Sequence, residues 1–520
     1  MPRFSFSREN AIGPIVKLQS QNTAQKLALI LIGILALRLV FLFTAPWGLH
    51  GDEAQYWAWS QEPAFGYFSK PPMIAWVIGS TTAIFGNAGW AVRLAAPFLH
   101  IATTMMIFLA ARRFFGPQVG FWAALIYVLM PAVWLSSFII STDAALLLCW
   151  AVALHAWACL RDGGGQDKKW GRVLQLGLAL GLGLLSKYAM AFMVPVLCLA
   201  VLFDAPSRKA LLGVKGFVVA AIAAALLAPN LMWNAANEFA TISHTAENAN
   251  LGRDLFNPEE VFKFWMDQFG VFGIIPFPML LIAMVAAARG RLRSPAKWLA
   301  ALAALPLLAI TLEALLSRAN ANWAVTAYIA APILVALWAV QTQRRTAWLK
   351  WGLIVQTIFV LAIGGLAVSE KTVDAAGLTN AVKRLRAWPE TSEAVRDEAN
   401  KGNYAFIATD NRLLFYDLNY YSIFQKFPTV KMNPPPPELA MWSLNASPAH
   451  HASLTRALPD TDAPVLILSY HHNFEAYFRA DFETLTELDP ITIDLGPGKT
   501  RHLKVWRGTG YKRTSREDRT

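Results

Sequence analysis

Between two strongly apolar runs lies the segment His50–Trp76, HGDEAQYWAWSQEPAFGYFSKPPMIAW. It carries two adjacent carboxylates (Asp52, Glu53), a lone lysine (Lys70), a double proline (Pro71, Pro72) and seven aromatic rings. Farther along, Asp143 follows Ser141 and Thr142, Lys187 separates two apolar runs, and His244 and Glu247 stand in a second long polar gap. Charged side chains at membrane depth are costly and concentrate at functional positions. Carboxylates able to take a proton from a hydroxyl, beside lysines able to neutralise a phosphate, suit transfer of a group from a lipid-linked phosphate to an alcohol. Such a reaction needs no nucleotide motif, because the activated donor resides in the membrane.

Each residue also has a plainer reading. Asp143 fits a helix N-cap, where a carboxylate satisfies free backbone N–H groups and the helix dipole. Glu53 fits a solvated neighbour of Asp52, Lys70 and Lys187 fit side chains that snorkel to headgroups, and His244 fits a packed loop histidine. The rings of Tyr56, Trp57, Trp59, Tyr67 and Phe68 are equally expected of an interfacial belt or a ligand platform.

The elements that position these residues follow from composition. With 55% hydrophobic and 15% charged residues among 520, the chain has too little polar surface to cover a soluble globule and reads as a polytopic membrane protein. A helix crossing a hydrocarbon core of about 30 Å needs roughly 20 apolar residues. Apolar runs near 24–45, 91–111, 119–138, 144–160, 173–185, 188–203, 216–232, 269–288, 298–316, 324–340 and 351–368 predict about eleven spans, with thirteen as the upper count. The apolar stretch 73–85 is too short to cross and is expected in the interface or as a re-entrant segment.

The net charge of +12 is distributed as orientation signals rather than as a nucleic-acid surface. Inner gaps hold pairs and clusters such as Arg112–Arg113, Arg161 with Lys168 and Lys169, Arg208 with Lys209, Arg289 with Arg291 and Arg293, and Arg344 with Arg345. Outer gaps hold isolated cations: Lys70, Arg93, Lys187, Arg253, Lys263 and Arg318. The positive-inside rule therefore places residues 1–23 inside as a cytoplasmic tail, loops 46–90 and 233–268 outside, and the C-terminus outside. All the site candidates are then expected on one membrane face. Cys149, Cys159 and Cys198 lie inside apolar segments with no CxxC spacing, which argues against a disulfide framework or zinc cluster.

After the membrane domain, 24–369, residues 370–510 read as a soluble α/β domain. YAFIATD (404–410), PVLILSY (464–470), ITIDL (491–495) and HLKVWR (502–507) are expected strands, and the charged tail 511–520 is expected to be disordered.

Taken in combination, several motifs resemble a known family: the Asp52–Glu53 pair, Tyr67-Phe68-Ser69-Lys70-Pro71-Pro72, Arg93, Thr142–Asp143, and PNLMWNAANEFATISHTAEN at 229–248. They are similar to those of polyprenyl-phosphate-sugar-dependent glycosyltransferases of the GT-C fold. Within that fold they resemble the bacterial branch of lipid A aminoarabinose transferase and the rhizobial lipopolysaccharide galacturonosyltransferases. The resemblance covers roughly residues 24–370. It implies inverting transfer from a polyprenyl-phosphate-linked sugar to lipid A or lipopolysaccharide core on the periplasmic face of the bacterial inner membrane. Asp52 would be the general base, supported by Glu53, with Asp143 orienting base or acceptor. Lys70, with Lys187 and Arg318 as further donor-site candidates, would bind the donor phosphate. Tyr67, Tyr328, His244 and Glu247 complete the candidate set, and an undecaprenyl-type tail would lie between spans.

One departure bears on cofactor and substrate. Aminoarabinose transferases carry Glu before the KPP lysine, a Glu associated together with a loop histidine with a metal, and here that position is Ser69. A divalent metal, with His244 as its one candidate ligand, is left open. SHTAEN and the shorter C-terminal domain point toward the galacturonosyltransferase-like members. Within the same fold the alternative is a protein O-glycosyltransferase. A transporter would distribute its charges along a path through the bilayer, with internal repeats that are not detected here. A non-catalytic lipid-binding envelope protein would tolerate loss of Asp52.

Overall fold

The computed structural model describes residues 14–161, 169–247, 256–421, 436–445, 447–471 and 473–513. Residues 1–13 of the expected inner tail, Lys168, Arg253 and residues 514–520 of the charged tail lie outside them. The chain divides into two compact units. One takes the chain up to Phe43, Arg93–Ala235 and Thr245–Gly364; the other takes Thr44–Val92, Ala236–His244 and everything from Gly365.

The first unit is a helical membrane body. Among the described residues, six helices are long and apolar enough to cross a bilayer: Asn22–Thr44, Gly89–Phe115, Thr142–Arg161, Val214–Ala236, Ala296–Leu316 and Gln343–Leu366. Two pairs, Tyr188–Phe203 with Ala205–Leu211 and Pro258–Phe272 with Pro276–Ala288, are bent by 109° and 106°, and the count reaches eight when each pair is taken as one span. The expected span at 269–288 therefore straddles a break: residues 269–272 end the first helix and Pro276–Ala288 is the second. Its break holds Gly273 at φ 119°, a left-handed conformation that favours glycine, and Pro276 then restarts the helix.

The expected span at 119–138 is interrupted in a similar way. Pro117–Val128 is helical, Met130 is extended at ψ 131° as the residue before a proline must be, and Pro131–Leu135 forms a separate short helix. Small residues set the packing. Ala144, Ala151, Ala153, Ala156 and Ala158 of Thr142–Arg161 are buried; in the adjacent Lys169–Ser186 helix Gly183 faces Cys149, while Gly177 and Gly181 let Val214–Ala236 approach at Ile222 and Leu226. Ala327–Ala339 is buried on every side and forms the centre of the body.

The second unit is built on a five-stranded sheet of order β2-β1-β3-β5-β4, from β1 (Phe406–Thr409), β2 (Glu438–Met441), β3 (Val465–Ser469), β4 (Phe482–Asp494) and β5 (Thr500–Tyr511). β1 pairs in parallel with β2 and β3, while β3–β5 and β4–β5 are antiparallel. β2 was not among the expected strands, and β4 starts well before residue 491. Tyr511, expected to open the disordered tail, ends β5 opposite Phe482.

This unit also contains the first loop, which apolar segmentation assigns to the membrane domain. Its Gly51–Gln61 helix packs against Arg412–Tyr421 and Met73–Phe85. Glycine permits the approach: a Cβ at Gly51 would sit 2.9 Å from Leu413 Cβ, and one at Gly48 would sit 2.7 Å from the Tyr421 hydroxyl. That hydroxyl accepts the Leu49 N–H at 2.7 Å, and Tyr420 Oη donates to the Asn87 carbonyl at 2.6 Å. Segmentation by hydropathy reports which stretches avoid water, and it carries no signal for which polar stretches dock on one another.

Candidate active site

The carboxylate pair of the first loop separates into two different roles. His50 starts the Gly51–Gln61 helix by a reciprocal cap: its Nδ1 accepts the Asp52 N–H at 3.2 Å, and Glu53 Oε2 accepts the His50 N–H at 2.9 Å. Glu53 is 0% exposed and committed to the backbone at the helix start. Asp52 has its side chain 43% exposed; Oδ1 accepts from Arg412 Nη2 at 3.2 Å, and Oδ2 lies 3.8 Å from Nδ1 of the capping His50. Arg412 Nη1 donates at 2.5 Å to Oε1 of Gln55, one turn along the same helix face. Asn411 fixes the origin of that arginine, because its Oδ1 accepts the Leu413 and Leu414 N–H groups at 3.0 and 3.1 Å and so starts the Arg412–Tyr421 helix.

Asp417 lies on that same helix, 1% exposed, and its carboxylate approaches the first turn of the Asp52 helix at Gly51. Burial raises its pKa well above the usual carboxylate range; Arg501 opposes the rise, and the charges of Asp52 and Glu53 add to it. Burial thus favours the protonated form of Asp417 over the carboxylate.

Lys70 closes a two-residue turn in which Tyr67 and Lys70 exchange backbone hydrogen bonds at 3.1 and 3.3 Å. The Ala240–Glu247 helix meets that turn in two places. Thr241 Oγ1 donates to the Tyr67 carbonyl at 2.7 Å, and the His244 ring lies 5.5 Å from Phe68. Tyr67 stacks on Trp59 at 4.6 Å with the rings 3° apart, donates to the Trp59 carbonyl at 2.8 Å, and has its phenol pushed up to about 12 by burial. His451 stands edge-on to both rings at 5.3 and 5.6 Å. Burial lowers His450 and His451 to about 4, so both are neutral at physiological pH.

The membrane unit holds the other half of the candidates. Ser141 Oγ accepts the Asp143 N–H at 3.3 Å and supplies the cap, which leaves the Asp143 carboxylate for side-chain partners. Lys187 Nζ donates to Oδ1 at 2.8 Å and Asn322 Nδ2 to Oδ2 at 2.9 Å. The carboxylate and ammonium side chains are 9% and 21% exposed. Lys187 reaches the pair from an extended residue (ψ 137°) between Lys169–Ser186 and a 3₁₀ turn at Tyr188–Phe192. A cavity of about 500 Å³ opens beside them, apolar along Val271, Val325, Phe359 and Ile363 and polar at Asp143 and Asn322.

Tyr328, expected at the donor, is 0% exposed; its hydroxyl donates to Gln268 Oε1 at 2.6 Å and its ring stacks on Phe272 at 4.7 Å. Arg318 is exposed. Glu247 ends the Ala240–Glu247 helix, and its side chain lies outside the description.

Three residues that pattern reading passed over belong to these clusters. Arg412 and Gln55 carry no local signal, since they meet across 357 residues. Asn322 sits in the turn SRANANW, four residues after Arg318, the cation that drew attention. A fourth residue, Arg38, did carry a signal, a charge inside an apolar window: it is 0% exposed, donates to the Val128 carbonyl at 2.9 Å, and lies 5.7 Å over Trp134. Among the described residues no three His, Cys, Asp or Glu side chains converge as metal ligands. Ser69 is buried beside Phe68, at the position where the aminoarabinose transferases carry a carboxylate.

A family of dolichyl-phosphate-mannose-protein mannosyltransferases matches residues 69–233. The lipid A galacturonosyltransferase RgtD of Rhizobium johnstonii is 37% identical over 400 residues, 75% of this chain and 81% of that protein. An undecaprenyl phosphate-alpha-4-amino-4-deoxy-L-arabinose arabinosyl transferase of Edwardsiella ictaluri is 30% identical over 25% of this chain and 24% of its own length. Among solved structures, ArnT from Cupriavidus metallidurans in the apo state superposes with a TM-score of 0.61 at 16% identity, covering 93% of this chain and 98% of that one. Its form bound to undecaprenyl phosphate superposes at 0.59, with 15% identity and coverage of 92% and 97%.

Proposed function

Because the chain belongs to the family of lipid A and lipopolysaccharide galacturonosyltransferases, within the polyprenyl-phosphate-sugar-dependent glycosyltransferases of the GT-C fold, we infer that it glycosylates lipid A or lipopolysaccharide core from a polyprenyl-phosphate donor. It is a multi-pass membrane enzyme, and its place of action is the periplasmic side of the bacterial inner membrane. The positive-inside charge pattern supports that orientation. The 37% identity over most of both chains favours a hexuronic acid as the sugar.

The acceptor hydroxyl attacks the anomeric carbon while Asp52 takes its proton. The bond from that carbon to the phosphate oxygen breaks, polyprenyl phosphate leaves with the bonding pair, and the anomeric configuration inverts. Arg412 and Gln55 hold Asp52 on the exposed face of its helix, and Glu53 supports it by starting that helix. The donor phosphate is bound by cationic donors. In the membrane unit Lys187 has two N–H groups and Asn322 one beyond those given to Asp143; Lys70, in the other unit, is a separate candidate for the same role. No step in this scheme uses a metal.

The observation that carries the reading is the apolar cavity of about 500 Å³ with an ion-paired, amide-bearing polar end, which suits an isoprenoid tail bearing a charged head. Its test is incubation of the purified full-length protein with undecaprenyl-phosphate-linked galacturonic acid and lipid A. Mass spectrometry should show one added hexuronosyl residue on the acceptor, and wild-type protein that transfers none of a panel of polyprenyl-phosphate sugars refutes the assignment.

A further inference from the structure

A second cavity in the membrane unit, of about 410 Å³, has no part in the transfer chemistry. Its rim carries three guanidiniums, Arg289, Arg291 and Arg345, and its floor is Trp338. The end of the Pro276–Ala288 helix sets the first two. Gly290 adopts φ 67° and the Arg291 N–H returns to the Ala286 carbonyl at 2.9 Å, a left-handed turn that stops the helix and leaves Arg289 and Arg291 exposed on either side of the glycine.

Arg345 is held by two contacts. Its guanidinium lies 4.5 Å over the Trp338 ring, and Nη1 donates to Gln341 Oε1 at 2.8 Å. Among the described residues, none of the three arginines has an ion pair. Three positive charges also outweigh the roughly half negative charge of the helix end beside them. Just above Arg289 on the same helix, Ile282 and Val285 are 47% and 49% exposed and line the cavity wall.

We propose that this cavity is a binding site for an anionic phospholipid, its phosphate held by Arg289, Arg291 and Arg345 and its acyl chains lying along Ile282 and Val285. Guanidiniums match phosphate oxygens two at a time, which a point-charge ammonium does not, and all three cations here are arginine. Basic pockets between membrane helices recognise such headgroups. The exposed aliphatic wall is continuous with the cationic rim, which selects a lipid over a free anion. Charge complementarity selects phosphatidylglycerol or cardiolipin over a zwitterionic lipid.

The test uses the full-length protein in neutral detergent, titrated with phosphatidylglycerol, cardiolipin or phosphatidylcholine and read by native mass spectrometry. The R289Q/R291Q/R345Q variant is expected to retain the anionic lipids at least about tenfold less well than the parent, while its retention of undecaprenyl phosphate is unchanged. The R208Q/K209Q variant removes two cations from another loop and should retain them like the parent. Three results each overturn the proposal: undiminished anionic lipid on the triple variant, equal loss in R208Q/K209Q, or phosphatidylcholine retained as well as phosphatidylglycerol.

Discussion

The two clusters use similar ion pairs in different surroundings. Asp52–Arg412 closes at 3.2 Å with side chains 43% and 34% exposed, whereas Asp143–Lys187 closes at 2.8 Å with side chains 9% and 21% exposed. In the first, water screens the attraction and the pair contributes about 0–1 kcal/mol, so what it fixes is direction rather than stability. In the second, loss of either charge leaves the other largely withdrawn from water without its counter-ion, Asp143 keeping only the neutral Asn322 amide. An accessible carboxylate can exchange protons with an acceptor. A buried, fully paired one orients the groups around it.

Substitutions can break this contrast. The largest effect is expected from Asp52→Asn, which should lower turnover by about 10²–10⁴-fold while thermal unfolding of the purified protein is unchanged; retained turnover would remove Asp52 from the chemistry. Asp143→Ala should do the reverse in kind, lowering stability by about 3–5 kcal/mol, read as a shifted melting temperature. The double variant Asp143→Leu/Lys187→Met should recover most of that stability without activity, and failure to recover would show that the pair is not the source of the loss. Arg412→Gln sharpens the comparison from the exposed side. It should lower kcat about tenfold with donor KM unchanged, Arg412→Lys should recover part of it, and a change confined to KM would contradict a positioning role.

The smallest effect concerns Asp417. Its carboxyl pKa is raised in the folded protein, so the folded state binds the extra proton at any pH above the unfolded value near 3.8 and below the raised one, and stability falls as pH rises through that window. Asp417→Asn keeps the shape and removes the titration. It should stabilise the second unit by on the order of 1 kcal/mol at pH 8 and flatten the dependence there, measured by chemical denaturation. His450 and His451 act at the acid end. With both lowered to about 4, stability should drop as pH falls from 6.5 toward 4, because the unfolded state then binds the extra protons.

The chain shows its membrane body openly, since an apolar run is a local property, and Asp143 and Lys187 stand out because ionised groups are rare beside such runs. The same logic reached too far at 119–138 and 269–288, where Pro131 and the Gly273–Pro276 break turn one apolar run into two helices. Arg412 is one of many arginines until the Arg412–Tyr421 helix is laid against Gly51–Gln61, and nothing within ten residues of either marks the other. β2 was missed because its residues, Glu438–Met441, include no β-branched or aromatic side chain, whereas the equally short β1 has Phe406, Ile407 and Thr409. Glu53 reads as the twin of Asp52 in sequence. The helix cap separates them, since the third residue of the first turn reaches back to the backbone while the second points outward.

The joining of the first loop to the last domain has a consequence for how the protein is made. Asp52 leaves the ribosome 360 residues before Arg412. At about 5–20 residues per second the interval is roughly 20–70 s. Throughout that time the Gly51–Gln61 helix lacks the arginine that orients its carboxylate and the tyrosine hydroxyl that secures Leu49. A chain stopped anywhere before the Arg412–Tyr421 helix would therefore lack both contacts, so this packing of the first loop forms only when synthesis is nearly finished.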